Sequence, residues 1–286
     1  MKTVGYYNGK IDELEAMQIP MNDRAMYFGD GVYDATYAVN RKIFALDDHI
    51  DRFFNSFKLL EIPFQYSKEE LAAELQKCVD VMDSDGTVFV YWQTTRGTGI
   101  RNHVFPEGKP NLLIYIIESE MKDVFTPFRL ITMEDVRFLL CNIKTLNLIP
   151  SCIANQRAKE AGCNEAVLHR GERVTECAHS NINIIKNGVF ITPPTDNLIL
   201  PGITRKHLLQ ICEEKGIPTE IRPFTMTELF DCDEAIVSSS GALCVPVSEI
   251  DGKPVGGKDK ETLLKLQMGY IERFEQEVGV TVYKRP

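Results

Sequence analysis

The sequence has 286 residues, which is long enough for one large domain or two ordinary ones. Its 44% hydrophobic and 26% charged residues are typical of a soluble globular protein. The net charge of −9 argues against a partner such as nucleic acid or an anionic membrane, because binding phosphates requires clustered lysine and arginine.

The sequence contains no recognisable targeting segment and no disulfide pattern. The first ten residues contain no apolar core of signal-peptide length, and no apolar run approaches membrane-spanning length. The eight cysteines include no C-x-x-C and no regular pairing pattern. We therefore expect a cytoplasmic protein with reduced thiols.

The N-terminal half alternates between strand and helix patterns. Hairpins are predicted across Asn8-Gly9 and across Asn40-Arg41. Asp47 is expected to cap one helix, and Ser67-Lys-Glu-Glu70 is a capping box that opens the next. The longer strands are expected at 4–7, 32–39, 88–95 and 111–118.

The pattern turns polar at 120–123, and we place a domain boundary there, between domains at 1–120 and 121–286. Strands and helices in both parts predict an α+β fold, with a smaller N-terminal α/β domain, a larger strand-rich C-terminal domain and a cleft between them. In the C-terminal part, strands are expected at 128–132, 165–169, 173–176, 181–185 and 189–192, and helices at 150–161, 204–215 and 258–277.

A lysine in an apolar stretch is the first candidate for chemistry. Lys144 follows Leu139, Leu140 and Ile143, where a hydrated ammonium group is costly unless something neutralises it. One solution is that the amine condenses with an aldehyde cofactor as a Schiff base. The other is that the stem packs while the charged end reaches water, and the residue alone favours this second interpretation.

Three C-terminal segments are candidates for chemistry or for phosphate binding. Glu176 ends a short strand, where a carboxylate could keep a pyridine ring protonated or could be an ordinary surface residue. Leu200-Pro-Gly-Ile-Thr-Arg205 leads into a helix whose first N–H groups could bind phosphate, although Thr204 could simply cap that helix. Ser238-Ser-Ser-Gly241 could add donors to the same phosphate or form a polar loop.

The N-terminal half offers residues that could bind a carboxylate. Glycines in Phe28-Gly-Asp-Gly-Val-Tyr33 would direct Tyr33 towards a site. Arg101 and His103 lie on a Gly-containing loop, where an arginine can clamp a carboxylate by two parallel hydrogen bonds. A solvated loop arginine is the alternative for Arg101, and a structural salt bridge is the alternative for Arg52.

Together and in this order, the motifs resemble the class IV pyridoxal-phosphate (PLP) aminotransferases nearly from end to end, and within them the D-amino acid branch. The motifs that carry the resemblance are Asp23-Arg24 with Phe28-Gly-Asp-Gly-Val-Tyr33, His49-Ile-Asp-Arg52, Arg96-Gly-Thr98 with Arg101-x-His103, Ile143-Lys144-x-Leu-Asn-Leu148, Val174-Thr-Glu176 with Ser180-Asn181, and Leu200-x-Gly-Ile-Thr-Arg205.

The resemblance implies a fold type IV enzyme that transfers an amino group between a D-amino acid and a 2-oxo acid, with PLP in the cleft between its domains. Lys144 would carry PLP as a Schiff base and act as general acid and base, and Glu176 would hold the pyridine nitrogen. The other implied cofactor ligands are Arg52, Leu200, Gly202, Ile203, Thr204, Ser239 and Ser240. Tyr33, Arg101 and His103 would bind the substrate carboxylate, the last two from the second subunit of a homodimer.

Two departures from the D-amino acid pattern affect the predicted site. Asp34 stands where glutamate is usual, so a hydrogen-bond network near the cofactor is expected to differ. Cys177-Ala178-His179 replaces a Gly/Ser-rich stretch, so hydroxyl contacts to the cofactor are lost and His179 could reshape the side-chain pocket. No metal site is predicted, since no further ligands accompany Cys177 and His179 at recognisable spacing.

Three other functions stay open at this point. A branched-chain L-amino acid aminotransferase usually shows Phe-Glu-Gly, and Phe28-Gly-Asp-Gly31 counts against it. An aminodeoxychorismate lyase shares the lysine and the glutamate but would not need Arg101 and His103 in this form. A catalytically silent binding protein on the same fold would not need Lys144 and Glu176.

Overall fold

The computed structural model describes all 286 residues, which form two compact units. The first unit comprises Met1–Met121, Ile143–Asn147 and Glu275–Thr281. The second comprises Lys122–Asn142, Leu148–Phe274 and Val282–Pro286. The units therefore differ from the division at 120: Ile143–Asn147, with Lys144, belongs to the first unit although the sequence assigned it to the C-terminal domain.

An antiparallel sheet of six strands organises the first unit. The strands are β1 (Thr3–Tyr7), β2 (Lys10–Asp12), β3 (Gly31–Val39), β4 (Lys42–Ile43), β5 (Thr87–Thr95) and β6 (Asn111–Glu118), and the helices are α1 (Arg24–Phe28), α2 (Leu46–Leu59) and α3 (Lys68–Asp80), with a 3-10 turn at Leu14–Ala16. The strand order is β2-β1-β6-β5-β3-β4. Along β5 buried residues alternate with half-buried ones, and the buried face packs with α2 and α3 into a core around Trp92, Phe53 and Leu75.

Helices α2 and α3 begin in different ways. The capping box before α3 is confirmed, since Glu70 N–H donates to Ser67 Oγ at 3.1 Å and Ser67 N–H donates to Glu70 Oε2 at 2.7 Å. The predicted cap at Asp47 is wrong, because α2 begins at Leu46 and the residue before it is Ala45. The Ala45 N–H donates to Glu277 Oε1 at 2.6 Å, so a carboxylate far along the chain binds the N–H of the N-cap residue.

A mixed sheet of nine strands organises the second unit. The strands are β7 (Phe128–Glu134), β8 (Glu165–Arg170), β9 (Arg173–Cys177), β10 (Asn181–Lys186), β11 (Val189–Thr192), β12 (Thr219–Ile221), β13 (Glu234–Ser238), β14 (Val245–Ile250) and β15 (Lys253–Pro254), and the helices are α4 (Ile149–Glu160), α5 (Ile203–Lys215), α6 (Met226–Asp231) and α7 (Lys260–Val278). The order is β12-β11-β10-β13-β14-β7-β8-β9, with β15 paired to β14. Apolar side chains from these strands, including Val237 and Val245, form a second core.

Both units combine helices with a sheet, which confirms the predicted α+β class. None of the helices is both long and apolar enough to span a membrane. All eight cysteines are free thiols, and Cys78, Cys177, Cys212, Cys232 and Cys244 are buried.

Candidate active site

Lys144 is held against the first half of β3. The Tyr33 N–H donates to the Lys144 carbonyl at 2.9 Å, and Thr145 forms an isolated antiparallel bridge with Val32. The Lys144 N–H donates to Ser56 Oγ at 3.3 Å. These backbone contacts attach the segment to the first unit and fix the point from which the side chain extends.

The amine of Lys144 lies against the phenol of Tyr33. Lys144 Nζ donates to the Tyr33 hydroxyl at 3.2 Å and stands 4.3 Å from the centre of its ring. The apolar setting that the sequence suggested is not what surrounds this amine, since Leu139 and Leu140 are exposed and only Ile143 is buried. A phenol beside a half-buried amine orients the amine and leaves it accessible for chemistry.

Tyr33 is the first ring of a stack that crosses three strands. Its ring is stacked on Tyr91 at 5.5 Å, and Tyr91 is stacked on Tyr115 at 4.7 Å. Burial raises the pKa of Tyr91 well above its ordinary value, and the neighbouring phenols Tyr33 and Tyr115 act in the same direction. The stack therefore fixes the position of the phenol that contacts Lys144.

Arg52, a predicted phosphate ligand, is oriented by a buried carboxylate. Arg52 Nε donates to Asp34 Oδ2 at 2.9 Å and Nη2 donates to Asp34 Oδ1 at 2.7 Å, while His49 Nδ1 lies 2.8 Å from the same Oδ1. Burial alone would raise the pKa of Asp34, but the charge and hydrogen bonds of Arg52 and His49 lower it well below its usual range. Burial also lowers the pKa of His49, although the charge of Asp34 and the hydrogen bond to it act in the opposite direction.

Arg101 and His103 lie on the loop between β5 and β6, and both are exposed. Their ring contacts are with Phe28: the Arg101 guanidinium stands 5.4 Å from its centre, and the His103 ring 5.3 Å. The structure brings Tyr33 and Lys144 together, but it does not place Arg101 or His103 beside either of them within one chain.

A buried ion cluster supports this loop. Arg24 Nε donates to Asp30 Oδ2 at 2.7 Å, and Arg96 Nε donates to the same oxygen at 3.0 Å. Arg24 Nη1 also donates to the Asn102 carbonyl at 2.7 Å. Arg24 and Arg96 stood in the motifs of the sequence, but only the fold shows that both converge on Asp30.

In the second unit, Glu176 is the centre of a polar cluster. Its Oε1 accepts a short hydrogen bond from Arg137, and its Oε2 accepts from Asn181 Nδ2 at 2.9 Å and from Leu200 N–H at 3.1 Å. Only 5% of the surface of Glu176 is exposed, so the alternative that it is an ordinary surface residue is wrong. A buried, multiply bonded carboxylate suits the predicted partner of a pyridine nitrogen.

Arg137 was missed by the sequence analysis. Its guanidinium forms a fork with Asp135, at 2.9 Å from Nε to Oδ1 and 2.9 Å from Nη2 to Oδ2, and Thr175 donates to the same carboxylate at 3.0 Å. Although burial opposes it, hydrogen bonding to Asp135 and the charge of Glu176 raise the pKa of Arg137. An arginine in the apolar stretch before Lys144 was the available signal, since a charge in such a stretch requires a partner.

The N-terminus of α5 has no side-chain cap, which leaves its first N–H groups for another acceptor. Gly202 is the N-cap and forms no side-chain cap, so the interpretation of Thr204 as a simple helix cap is wrong. Thr204 is buried, and its Oγ1 accepts a hydrogen bond from the Tyr270 hydroxyl at 3.3 Å. The first N–H groups of α5 and the positive end of its dipole favour a phosphate group.

Ser239 and Ser240 follow β13 in a turn. Ser239 Oγ accepts the Ala242 N–H at 3.2 Å, and the Ser239 carbonyl accepts the Leu243 N–H at 2.7 Å. Both serines are partly exposed. No contact tests their predicted role as phosphate ligands, which stays a prediction.

The chemistry of these donors fits PLP. Lys144 supplies an accessible amine for the aldehyde, Glu176 supplies a carboxylate for the pyridine nitrogen, and the start of α5 supplies N–H groups for the phosphate. Leu200 and Gly202 lie in the turn before α5, and the Leu200 N–H binds the carboxylate of Glu176. Each functional group of the cofactor thus has a matching donor or acceptor among the predicted residues.

Comparison with known proteins gives consistent matches. The model of the family described as amino-transferase class IV matches residues 31–250. A D-alanine aminotransferase of Listeria monocytogenes serotype 4b (strain F2365) is 40% identical over 281 residues, covering 95% of this chain and 96% of that protein. A D-alanine aminotransferase of Staphylococcus haemolyticus is 36% identical over 276 residues, covering 94% and 97%. The branched-chain aminotransferase of Thermoproteus uzoniensis superposes with a TM-score of 0.86 at 23% identity, covering 96% and 95%, and shares the fold.

Proposed function

The chain belongs to the class IV aminotransferases, and we propose that it transfers an amino group between a D-amino acid and a 2-oxo acid with the help of PLP. The observation that carries the proposal is the amine of Lys144, held by the Tyr33 hydroxyl at 3.2 Å on the edge of β3. The preference for D-amino acids is supported by the D-alanine aminotransferases that are 36% and 40% identical to this chain over nearly its full length. The predicted carboxylate ligands Arg101 and His103 also support it.

PLP, when bound, supplies an aldehyde for the amine and a pyridine ring that stabilises the electron pair left by the substrate α-proton. Lys144 Nζ would take that proton from the substrate Cα and deliver it to the carbon of the former aldehyde, and would move a proton in the opposite direction in the second half-reaction. Tyr33 keeps Nζ oriented through its hydroxyl. Glu176 would hold a proton at the pyridine nitrogen. The carboxylate of Glu176 is kept in place by Arg137 and Asn181.

We assign the phosphate group to the start of α5, to two serines after β13 and to Arg52. Ile203 and Thr204 offer the first N–H groups of α5, and Ser239 and Ser240 add hydroxyl groups. Arg52 adds a cation whose orientation is fixed by the fork with Asp34. This shorter acidic residue still binds both Arg52 and His49, so the departure from glutamate at position 34 leaves a complete network.

We further propose a cytoplasmic homodimer in which Arg101 and His103 enter the site of the partner subunit. The loop that carries them also exposes Ile100, Val104 and Phe105, at 84%, 71% and 55% of their surfaces. Such a concentration of exposed apolar side chains is typical of an interaction surface. A second copy of the chain would cover them and would give the two residues a carboxylate to bind; the free thiols agree with a reducing compartment.

The proposal is tested by chemical labelling and by a substrate panel. Borohydride reduction of the yellow protein, followed by peptide mapping, should place a pyridoxyl group on Lys144, and Lys144→Ala should carry none. Incubation with D- and L-amino acids plus 2-oxoglutarate should consume the D forms. A label on another lysine, or consumption of L-leucine alone, contradicts the proposal.

A further inference from the structure

We infer that Asn181 is a positioning residue. It fixes the spacing between Glu176 and the N-terminus of α5, so that a single cofactor molecule can bind Glu176 and the helix at the same time. The inference rests on the proposed function, in which these two elements hold the pyridine nitrogen and the phosphate of PLP. Asn181 is 4% exposed, and its Nδ2 donates both to Glu176 Oε2 at 2.9 Å and to the Leu200 carbonyl at 3.1 Å. One amide group therefore bonds the carboxylate and the turn before α5.

Leu200 closes a ring of hydrogen bonds with the same two residues. Its N–H donates to Glu176 Oε2 at 3.1 Å, the oxygen that also accepts from Asn181. Arg137, which donates to the other oxygen of Glu176, also donates to the Leu198 carbonyl at 3.1 Å. The turn that leads to the phosphate-binding helix is thus attached to the carboxylate of Glu176 at several points.

The amide oxygen of Asn181 packs against Gly202, the N-cap residue of α5. A Cβ at Gly202 would lie 1.9 Å from Asn181 Oδ1, so the amide packs directly on the backbone of the N-cap. Only Pro201 separates Leu200 from Gly202, and its ring restricts the backbone between them. Only two residues, Pro201 and Gly202, lie between the attachment point at Leu200 and the start of α5.

This arrangement has a thermodynamic consequence for a ligand with two binding groups. When two binding elements are held at the spacing of the ligand, the second contact forms with little further loss of conformational entropy. If the spacing fluctuates, this advantage falls while each single contact keeps its own strength. Loss of Asn181 should therefore weaken PLP far more than a ligand that uses one element only.

The test compares three ligands on the full-length apoprotein: PLP, pyridoxal, which lacks the phosphate, and inorganic phosphate. The variants are Asn181→Ala and Asn181→Leu, the second keeping the core filled where the first could fail to fold. Asn183→Ala is the matched control, because Asn183 is buried on the same strand and donates to Ser238 Oγ at 3.1 Å, away from Glu176. Dissociation constants are measured by equilibrium dialysis, and folding is checked by thermal unfolding.

We expect both Asn181 variants to raise the dissociation constant of PLP at least about tenfold while changing those of pyridoxal and phosphate by less than about twofold. Equal weakening of PLP and pyridoxal would mean that Asn181 acts through Glu176 alone, and the inference would be wrong. An unchanged PLP constant, or the same loss in Asn183→Ala, also overturns it. A wild-type protein that binds no PLP would instead contradict the proposed function itself.

Discussion

Asp34 and Arg52 form a buried two-point ion pair, with Arg52 Nε 2.9 Å from Asp34 Oδ2 and Nη2 2.7 Å from Oδ1. Asp34 is fully buried, and Arg52 keeps only 8% of its surface exposed. A buried carboxylate is strongly destabilising once its cation is lost, and the reverse also holds. The pair therefore links the stability of the first unit to the orientation of a proposed phosphate ligand.

Asp34→Asn should lower the free energy of unfolding by about 3 kcal/mol, because it leaves the guanidinium of Arg52 buried without its anion. It should also weaken PLP binding, since Arg52 loses its fixed orientation. Urea unfolding measures the first effect and equilibrium dialysis the second. Asp51→Asn is the control: Asp51 pairs with Lys68 on the surface, and its loss should leave the urea midpoint unchanged. Equal effects of both substitutions would contradict the assignment.

The buried imidazole of His49 should make the protein less stable in mild acid. Burial, together with the charges of Arg52 and Lys144, lowers its pKa below the usual 6.5 despite the attraction of Asp34. Below that pH the unfolded chain binds a proton that the folded chain resists, so stability falls as the pH falls through this range. Thermal unfolding between about pH 5 and 8 should show this slope, and His49→Gln should reduce it. An unchanged slope in His49→Gln would assign it to another group.

Arg137 should be essential for the cluster around Glu176. Arg137→Met would leave the carboxylates of Asp135 and Glu176 close together without their common cation, and should cost about 3–5 kcal/mol of stability. Adding Asp135→Asn should restore part of this loss, because one of the two like charges is removed. Arg170→Met is the control, since Arg170 is more exposed and lies 3.4 Å from Asp135, which Arg137 keeps paired. Denaturant midpoints of the four proteins decide the point.

Local signals in the sequence predicted most of the elements that position the site. The capping box at Ser67, the hairpin at Asn8 and the strands on either side of the Arg101 loop lie where the pattern placed them. Each depends on residues that are neighbours in sequence, so a local pattern contains the necessary information. The start of α2 depends instead on a distant residue, because the acceptor of the Ala45 N–H is Glu277, and no local pattern indicates this contact.

For the site, the sequence predicts a set of candidate residues but not the contacts between them. Motif order indicated Lys144 and Glu176, yet the partners of these residues, Tyr33 and Arg137, follow from strand pairing and from the path of the chain after β7. The apolar residues that precede Lys144 in the sequence suggested an apolar environment, whereas its amine contacts the hydroxyl of Tyr33. Spacing along the chain cannot show which side chains of distant segments meet.

The role of Arg101 separates the D-amino acid activity from its alternatives. If the guanidinium binds the substrate carboxylate in the partner subunit, Arg101→Ala should retain PLP and its colour, because the residue contacts substrate and not cofactor. It should lower kcat/KM for D-alanine by about 2–4 kcal/mol of transition-state stabilisation. Arg101→Lys should recover little, since a point charge does not reproduce the planar fork of arginine. Lys109→Ala, which removes an exposed cation from the same loop, should change the rate by less than about threefold.

Mixed dimers test whether Arg101 acts across the subunit interface. We expect Lys144→Ala to be inactive and Arg101→Ala to be weakly active as homodimers. A mixed dimer of the two would contain one site with both native residues if Arg101 comes from the partner. Statistical exchange should then restore about a quarter of wild-type activity, since about half of the dimers are mixed and each has one intact site. If Arg101 acts within its own chain, every site of the mixed dimer lacks one residue and no activity returns. A wild-type preference for L-leucine, combined with a nearly silent Arg101→Ala, would instead identify the branched-chain activity.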